Sequence, residues 1–263
     1  MEFGGFIINY SDKEVSPHGG MILMQELLEK TGIKQSILDI GLPQIKSPNS
    51  HKSIDIVVSF SVSSWCGANK LLQTEHARYY EVLKKLFQLK KIPSHVTFGR
   101  FFKKFRWATN DNFFPQISQW YFLRIQIDRI TLDFDSMEIT RYGEQQGSKK
   151  GYNPKKKERA SHHPLIAYIS ELRMIANGWL RIGNTTSFSS FENFFEETMR
   201  ILEGKTIGLV RADSGFFSKS VMEMSGLKQM SYVISCRLVK SIQHIIYNTQ
   251  KGNIIDKGIW ISD

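Results

Sequence analysis

Apolar residues recur at helical spacing through roughly the first 125 residues, and the period shortens to that of strands from Arg129 onward. Met21 to Lys30 carries its apolar positions on one helical face, and Thr31-Gly32 supplies a stop. Ile33 to Ile40 predicts a second short helix, closed by Gly41 and Pro43. The apolar, β-branched stretch Ser53 to Trp65 reads as a buried helix, and His76 to Leu89 as an amphipathic one. Pro93 breaks that helix, and Ser94 is a good N-cap for the next.

Four basic residues, Arg100, Lys103, Lys104 and Arg106, are read on this last helix. A helix, a short break and a basic second helix fit a helix-turn-helix DNA reader. An ordinary helical pair with a solvated basic face has the same pattern.

In the second half, Ile130–Asp135, Leu165–Ile169 and Trp179–Ile182 read as successive strands. Phe188 to Leu202 reads as a helix with Ser190 as candidate cap. Thr206–Asp213 is the next strand, Ser218 to Met224 a short helix ending at Gly226, and Met230–Arg237 a further strand. This order predicts a mixed α/β sheet and suits a ribonuclease-H-like core. Between the first two strands, Gly147 to Arg159 holds Lys149, Lys150, Lys155, Lys156, Lys157 and Arg159 around Tyr152. Its glycines and Pro154 mark an exposed loop, either a solvated hairpin tip or an arm that grips phosphate.

Composition narrows the partners. The 263-residue chain has net charge +10, which favours a polyanion such as nucleic acid. Cys66 and Cys236 alone cannot build a disulfide framework or a zinc site. With no apolar run of membrane-spanning length and no secretion signal, the chain is expected in the cytoplasm. No glycine-rich nucleotide loop is present, so no nucleotide cofactor is expected.

The candidate chemistry lies where two apolar runs end, at Asp135 and Asp213, 78 residues apart. A carboxylate ending a buried strand is costly to desolvate, and two brought together by strand pairing repel unless a cation lies between them. Such a pair can hold two divalent ions about 3.5–4 Å apart for phosphodiester chemistry. Magnesium is the expected ion, with manganese as substitute, because the ligands are hard oxygens. Asp133 shares a strand face with Asp135, so either can be the first ligand. His162 and His163 are adjacent and point opposite ways, so they form no simple chelate.

One ordered string of segments is more specific than any of these features. It runs Asp133-Phe134-Asp135-Ser136, Tyr142-Gly143-Glu144-Gln145-Gln146-Gly147, Gly151-Tyr152-Asn153-Pro154-Lys155 and His163-Pro164-Leu165. It continues with Leu180-Arg181-Ile182-Gly183-Asn184 and Arg211-Ala212-Asp213-Ser214-Gly215-Phe216. The string resembles bacterial insertion-sequence transposases of the DDE type, in the group with a β-strand insertion in a ribonuclease-H-like core (the insertion-sequence-four superfamily, DDE group one). Pro93 to Phe101 also resembles that group's helical region.

The resemblance implies a helical DNA-binding region over residues 1–125 and an incomplete catalytic domain over 126–263, ending within the inserted strands. It implies two-metal hydrolysis and strand transfer at the terminal inverted repeats of a mobile element, with target DNA as second substrate. Family members act as dimers, in the bacterial cytoplasm at the nucleoid. Asp135, followed by a small residue, matches the family's first acid better than Asp133, and Asp213 matches the second. The third acid of the family is a glutamate in a tyrosine, arginine, glutamate, lysine signature. No such spacing follows Asp213. Without that ligand the chain alone is expected to be inactive, with apolar sheet surface left exposed. The alternative is a non-catalytic DNA-binding remnant that competes with intact transposase.

Overall fold

The computed structural model describes the chain apart from residues 1, 4, 5, 8–15, 48, 152, 154, 155, 250, 251, 258, 262 and 263. Two compact units result, Met1–Trp120 and Tyr121–Asp263. No helix among the described residues is long and apolar enough to cross a membrane.

The first unit is mostly helical. A short pair of strands, β1 (Glu2–Phe3) and β2 (Phe6–Ile7), precedes α1 (Met21–Thr31), α2 (Ile33–Ile40) and α3 (Ser53–Trp65). A 3-10 helix (Leu71–Tyr79), α4 (Glu81–Leu86), α5 (His95–Phe102) and α6 (Trp107–Phe122) follow, α6 ending in the second unit. Gly32 adopts the left-handed backbone at φ 66° that closes α1 and opens α2. The Ser94 hydroxyl accepts from the Thr97 N–H at 3.4 Å and caps α5.

The single helix expected over His76–Leu89 is two elements. Buried Thr74 and Ala77 lie three residues apart, the spacing of a 3-10 face. Leu83 is also buried. In one continuous α-helix Ala77 and Leu83 would point about 120° apart. The extended backbone at Tyr80 resets the direction, and both enter the same core.

The second unit contains β3 (Arg129–Ser136), β4 (Ile139–Thr140), β5 (Lys149–Lys150), β6 (Ala160–His162), β7 (Leu165–Ile169) and β8 (Met174–Trp179). Then come α7 (Phe191–Ile201), β9 (Thr206–Ala212), α8 (Lys219–Leu227), β10 (Ser231–Ile234), α9 (Lys240–Asn248), β11 (Asn253–Asp256) and β12 (Ile259–Ile261). Five strands form one mixed sheet in the order β10-β9-β3-β7-β8. β9 runs parallel to both β3 and β10, whereas β7 is antiparallel to β3 and to β8.

The third strand of this sheet is Met174–Trp179, not the expected Trp179–Ile182. Its ladder with β7 ends at the Leu165–Trp179 pair, because β7 itself starts after Pro164, which has no N–H to donate. Beyond it, Ile182 makes only an isolated bridge to His162. The expected loop over Gly147–Arg159 also carries structure: β5 pairs with β6, and β6 with β4, in a small separate sheet. Ser190 precedes α7 but makes no side-chain cap there. Gly226 lies inside α8, which is capped by Ser218.

α7 supports the sheet from one side. It buries Phe191, Phe194, Phe195, Thr198 and Ile201, a stripe at helical spacing. Phe134 of β3 meets this stripe with its ring 5.0 Å from Phe191 and 5.7 Å from Phe195. Each such buried side chain contributes about 1.5–3 kcal/mol. Strand alternation then turns Asp133 and Asp135, on either side of Phe134, to the opposite face. That face also carries Val233 and Ile175, both exposed.

Candidate functional site

β3 and β9 pair in parallel, with Asp133 opposite Arg211 and Phe134 opposite Ala212. One residue further on lie Asp135, still in β3, and Asp213, just past the end of β9. Two carboxylates far apart in sequence therefore lie at the carboxyl ends of neighbouring parallel strands. Both are exposed. The desolvation cost expected at a buried strand end does not arise here. Asp135 Oδ1 accepts from the Ser136 N–H at 2.7 Å, and Asp213 Oδ1 from the Gly215 N–H at 2.8 Å.

Asp133 is placed differently. Arg211 donates to both of its oxygens and also to Ser170 Oγ at 2.8 Å. Asp133 holds the Arg211 guanidinium above its ordinary pKa through that hydrogen bond and its charge. Among the described residues, no group of three or more His, Cys, Asp or Glu side chains is gathered where it could hold a metal.

The shell beneath the aspartates is organised by Arg181, which is buried. Its Nε donates to the His163 carbonyl at 3.0 Å, and Nη1 to the Ser187 and Ser189 carbonyls at 3.2 and 2.6 Å. Nη2 donates to Ser136 Oγ at 2.9 Å, and that hydroxyl donates to the Pro164 carbonyl at 3.1 Å. Burial lowers the Arg181 pKa from its ordinary value. Ser187 in turn abuts the second acid: a Cβ on Gly215 would lie 2.8 Å from Ser187 Oγ and 3.0 Å from Asp213 Oδ1. Phe216 closes this turn by packing its ring 5.1 Å from Phe191.

Two residues beyond Arg181, Gly183 joins the basic arm to this shell. A Cβ on Gly183 would lie 1.9 Å from the Ser161 carbonyl and 2.4 Å from that of Lys149, so only glycine fits. Its N–H donates to the Gly147 carbonyl at 3.2 Å. Arg141 Nε donates to His162 Nδ1 at 2.7 Å, which leaves Nε2–H to donate to the Gln146 carbonyl at 2.9 Å. His163 bonds the Thr185 carbonyl through Nδ1 at 2.5 Å. Both histidines are thus internal struts of the fold.

Lys149, Lys150, Lys156, Lys157 and Arg159 are exposed on the arm, and Lys155 lies outside the described residues. Tyr142 sits beneath Lys156 Nζ, 4.8 Å from the ring centre, with the Arg159 guanidinium at 5.8 Å. In the first unit, Arg100, Lys103, Lys104 and Arg106 are exposed, but only Arg100 lies on α5. The helix stops at Phe102 because tight turns carry Phe105 back onto Phe101, with ring centres 5.5 Å apart. Lys103 is the C-cap, Lys104 is in the turn, and Arg106 follows it.

A cleft of about 670 Å³ in the first unit is lined by His51, Arg78, Lys84 and Lys91, which the sequence pattern did not single out. Arg78 and Lys84 pair with Glu75 and Glu81, so much of its charge is compensated.

The family described as transposase DDE domain group 1 matches residues 7–255. No curated protein matches the chain. Among solved structures it is similar to a piggyBac transposase synaptic complex with hairpin DNA, seen by cryo-EM. There the identity is 14%, the match covers 87% of this chain and 54% of that one, and the TM-score is 0.46. It is also similar to the Drosophila P element transposase strand transfer complex, at 12% identity, 81% and 47% coverage and a TM-score of 0.37. The chain spans about half the length of these two transposases.

Proposed function

The chain belongs to the transposase DDE domain group 1 family, and from that premise we propose that Asp135 and Asp213 are the first two catalytic acids of a bacterial insertion-sequence transposase. The observation that carries this reading is the parallel β3–β9 register, which brings both aspartates to one end of the sheet. The order β10-β9-β3-β7-β8, with β7 alone antiparallel to the other four strands, supports a ribonuclease-H-like core. On this reading residues 126–263 belong to the catalytic domain and residues 1–125 to a DNA-binding region. The small β4-β6-β5 sheet and its lysines then lie beside the chemistry rather than apart from it.

Asp135 and Asp213 fit a hard divalent cation such as Mg²⁺, which is bound through one or two carboxylates plus substrate phosphates. When bound, such ions activate a water or a 3′-hydroxyl and stabilise the leaving oxygen. The chain's own residues do the rest. Ser136 and Gly215 N–H groups each fix one carboxylate oxygen. Arg211 neutralises Asp133 and keeps a third negative charge from adding to the pair. The exposed lysines of the arm, with Arg159, grip the phosphates of element-end or target DNA. Arg100, Lys103, Lys104 and Arg106 form a second basic surface for the same partner.

The exposed basic residues Lys149, Lys150, Lys156, Lys157 and Arg159 also fit a second reading, a DNA-binding product that grips element ends without cutting them. One experiment separates the two: the purified chain is incubated with Mg²⁺ or Mn²⁺ and a supercoiled plasmid carrying the flanks of its own locus. Nicked circles from the wild type and none from Asp135→Ala support the enzyme. Nicking retained in both Asp135→Ala and Asp213→Ala rejects the site. Salt-sensitive binding with no nicking establishes the second reading.

A further inference from the structure

The segment Leu180–Asn184 belongs to the motif string, yet none of its residues has a role in the reading above. Arg181 is its one buried charge. A guanidinium removed from water without a carboxylate partner is costly, and it persists where its hydrogen bonds hold something that must not move. Every acceptor the structure gives Arg181 is a neutral oxygen: three backbone carbonyls and one hydroxyl. Those acceptors come from the three chain segments that frame the acidic pair.

Ser136 immediately follows Asp135, and its N–H holds Asp135 Oδ1. His163 lies just before β7, where β7 pairs with the end of β3. Ser187 touches the Gly215 turn, whose N–H holds Asp213 Oδ1. A single planar fork therefore spans from the residue after one aspartate to the loop that lies against the turn of the other. Lysine, a point charge with no fork, cannot replace it.

We propose that Arg181 is a positioning residue that sets the spacing and direction of the Asp135 and Asp213 carboxylates, acting through Ser136 and Ser187. This rests on the reading of that pair as a divalent-metal site. Removing partners that orient metal ligands typically weakens metal binding about 10- to 100-fold.

The test is Mn²⁺ titration of the full chain, followed by the electron paramagnetic resonance signal of free and bound ion, with thermal melts in parallel. Wild type, Asp135→Ala, Arg181→Lys and Ser136→Ala are compared. Ser136→Ala removes one arm of the fork and leaves the three carbonyls, so it serves even where Arg181→Lys fails to fold. We expect Asp135→Ala to abolish binding, and the other two variants to bind Mn²⁺ about 10-fold or more weakly while folded. A lowered melting temperature with unchanged Mn²⁺ affinity in a folded variant overturns the proposal and leaves the metal site intact. Mn²⁺ binding that is absent from the wild type, or unaffected by Asp135→Ala, overturns the metal site itself and the proposal with it.

Discussion

Arg211 donates to both carboxylate oxygens of Asp133, from Nε at 2.5 Å and from a terminal nitrogen at 2.7 Å. Asp133 and Asp135 share a strand face, yet this contact commits the first to an ion pair and leaves the second to its own turn. Asp133→Asn should lower thermal stability slightly and keep Mn²⁺ binding. Asp135→Asn should do the reverse, because it relieves repulsion and removes a ligand. Paired melting curves and Mn²⁺ titrations check this, and loss of Mn²⁺ binding in Asp133→Asn alone would exchange the two assignments.

Phe191 links the two acids from below, with Phe134 at 5.0 Å on one side and Phe216 at 5.1 Å on the other. Phe191→Ala should cost about 3–5 kcal/mol in urea unfolding, the range for emptying a buried aromatic site. An effect under about 1 kcal/mol would mean that the core refills there.

Gly183 has backbone carbonyls where a side chain would begin, at 1.9 and 2.4 Å. Gly183→Ala should push the β4-β6-β5 sheet away from the Arg181 segment, at a cost of about 1–3 kcal/mol or more. Hydrogen exchange should quicken at Lys149 and Ser161. Unchanged exchange at both would show that the seam tolerates a methyl group.

The Glu75 carboxyl, although raised by burial, is drawn down to about 2 by hydrogen bonds from His95 and Arg78. Its ordinary value is 4.5. A depressed carboxyl adds stability that is complete above its unfolded pKa and is lost as pH falls through the folded one. Wild-type melting temperature should therefore fall between about pH 4.5 and 2 more steeply than that of Glu75→Gln. Parallel curves for the two proteins would refute it.

Replacing Lys149 and Lys150 with glutamine should reduce the salt slope of DNA binding by roughly 0.9 per lost phosphate contact. An unchanged slope measured by fluorescence anisotropy would remove these two lysines from the interface.

The sequence made the strands legible where burial was one-sided or complete. Ile130, Leu132 and Phe134 alternate with polar residues, and the strand ran as their period predicts. α7 was equally plain from its aromatic stripe. Trp179–Ile182 misled because it has the composition of a strand, while its pairing was set by Pro164 on a neighbour that periodicity cannot see. Around Lys103, Lys104 and Arg106 no glycine or proline marks the end of α5, which is made instead by aromatic packing of Phe105. Arg181 was visible as a residue but not as a clamp. Its partners are mostly backbone carbonyls, which leave no trace in side-chain pattern.

The parallel β3–β9 ladder joins residues more than seventy positions apart, across the β7–β8 hairpin and α7. Closing so long a loop is entropically costly and slow, whereas the hairpin can form from neighbouring residues. The nascent chain can therefore assemble β7, β8 and the Phe134 contacts of α7 before Asp213 has left the ribosome. On the proposed reading of Asp135 and Asp213 as a metal-binding pair, the two carboxylates come together at this late step, so a bridging cation acts on the closing stage of folding and not on its start. Pulse-labelled hydrogen exchange should find β9 protected after β7 and β8, with divalent cations quickening only that last phase.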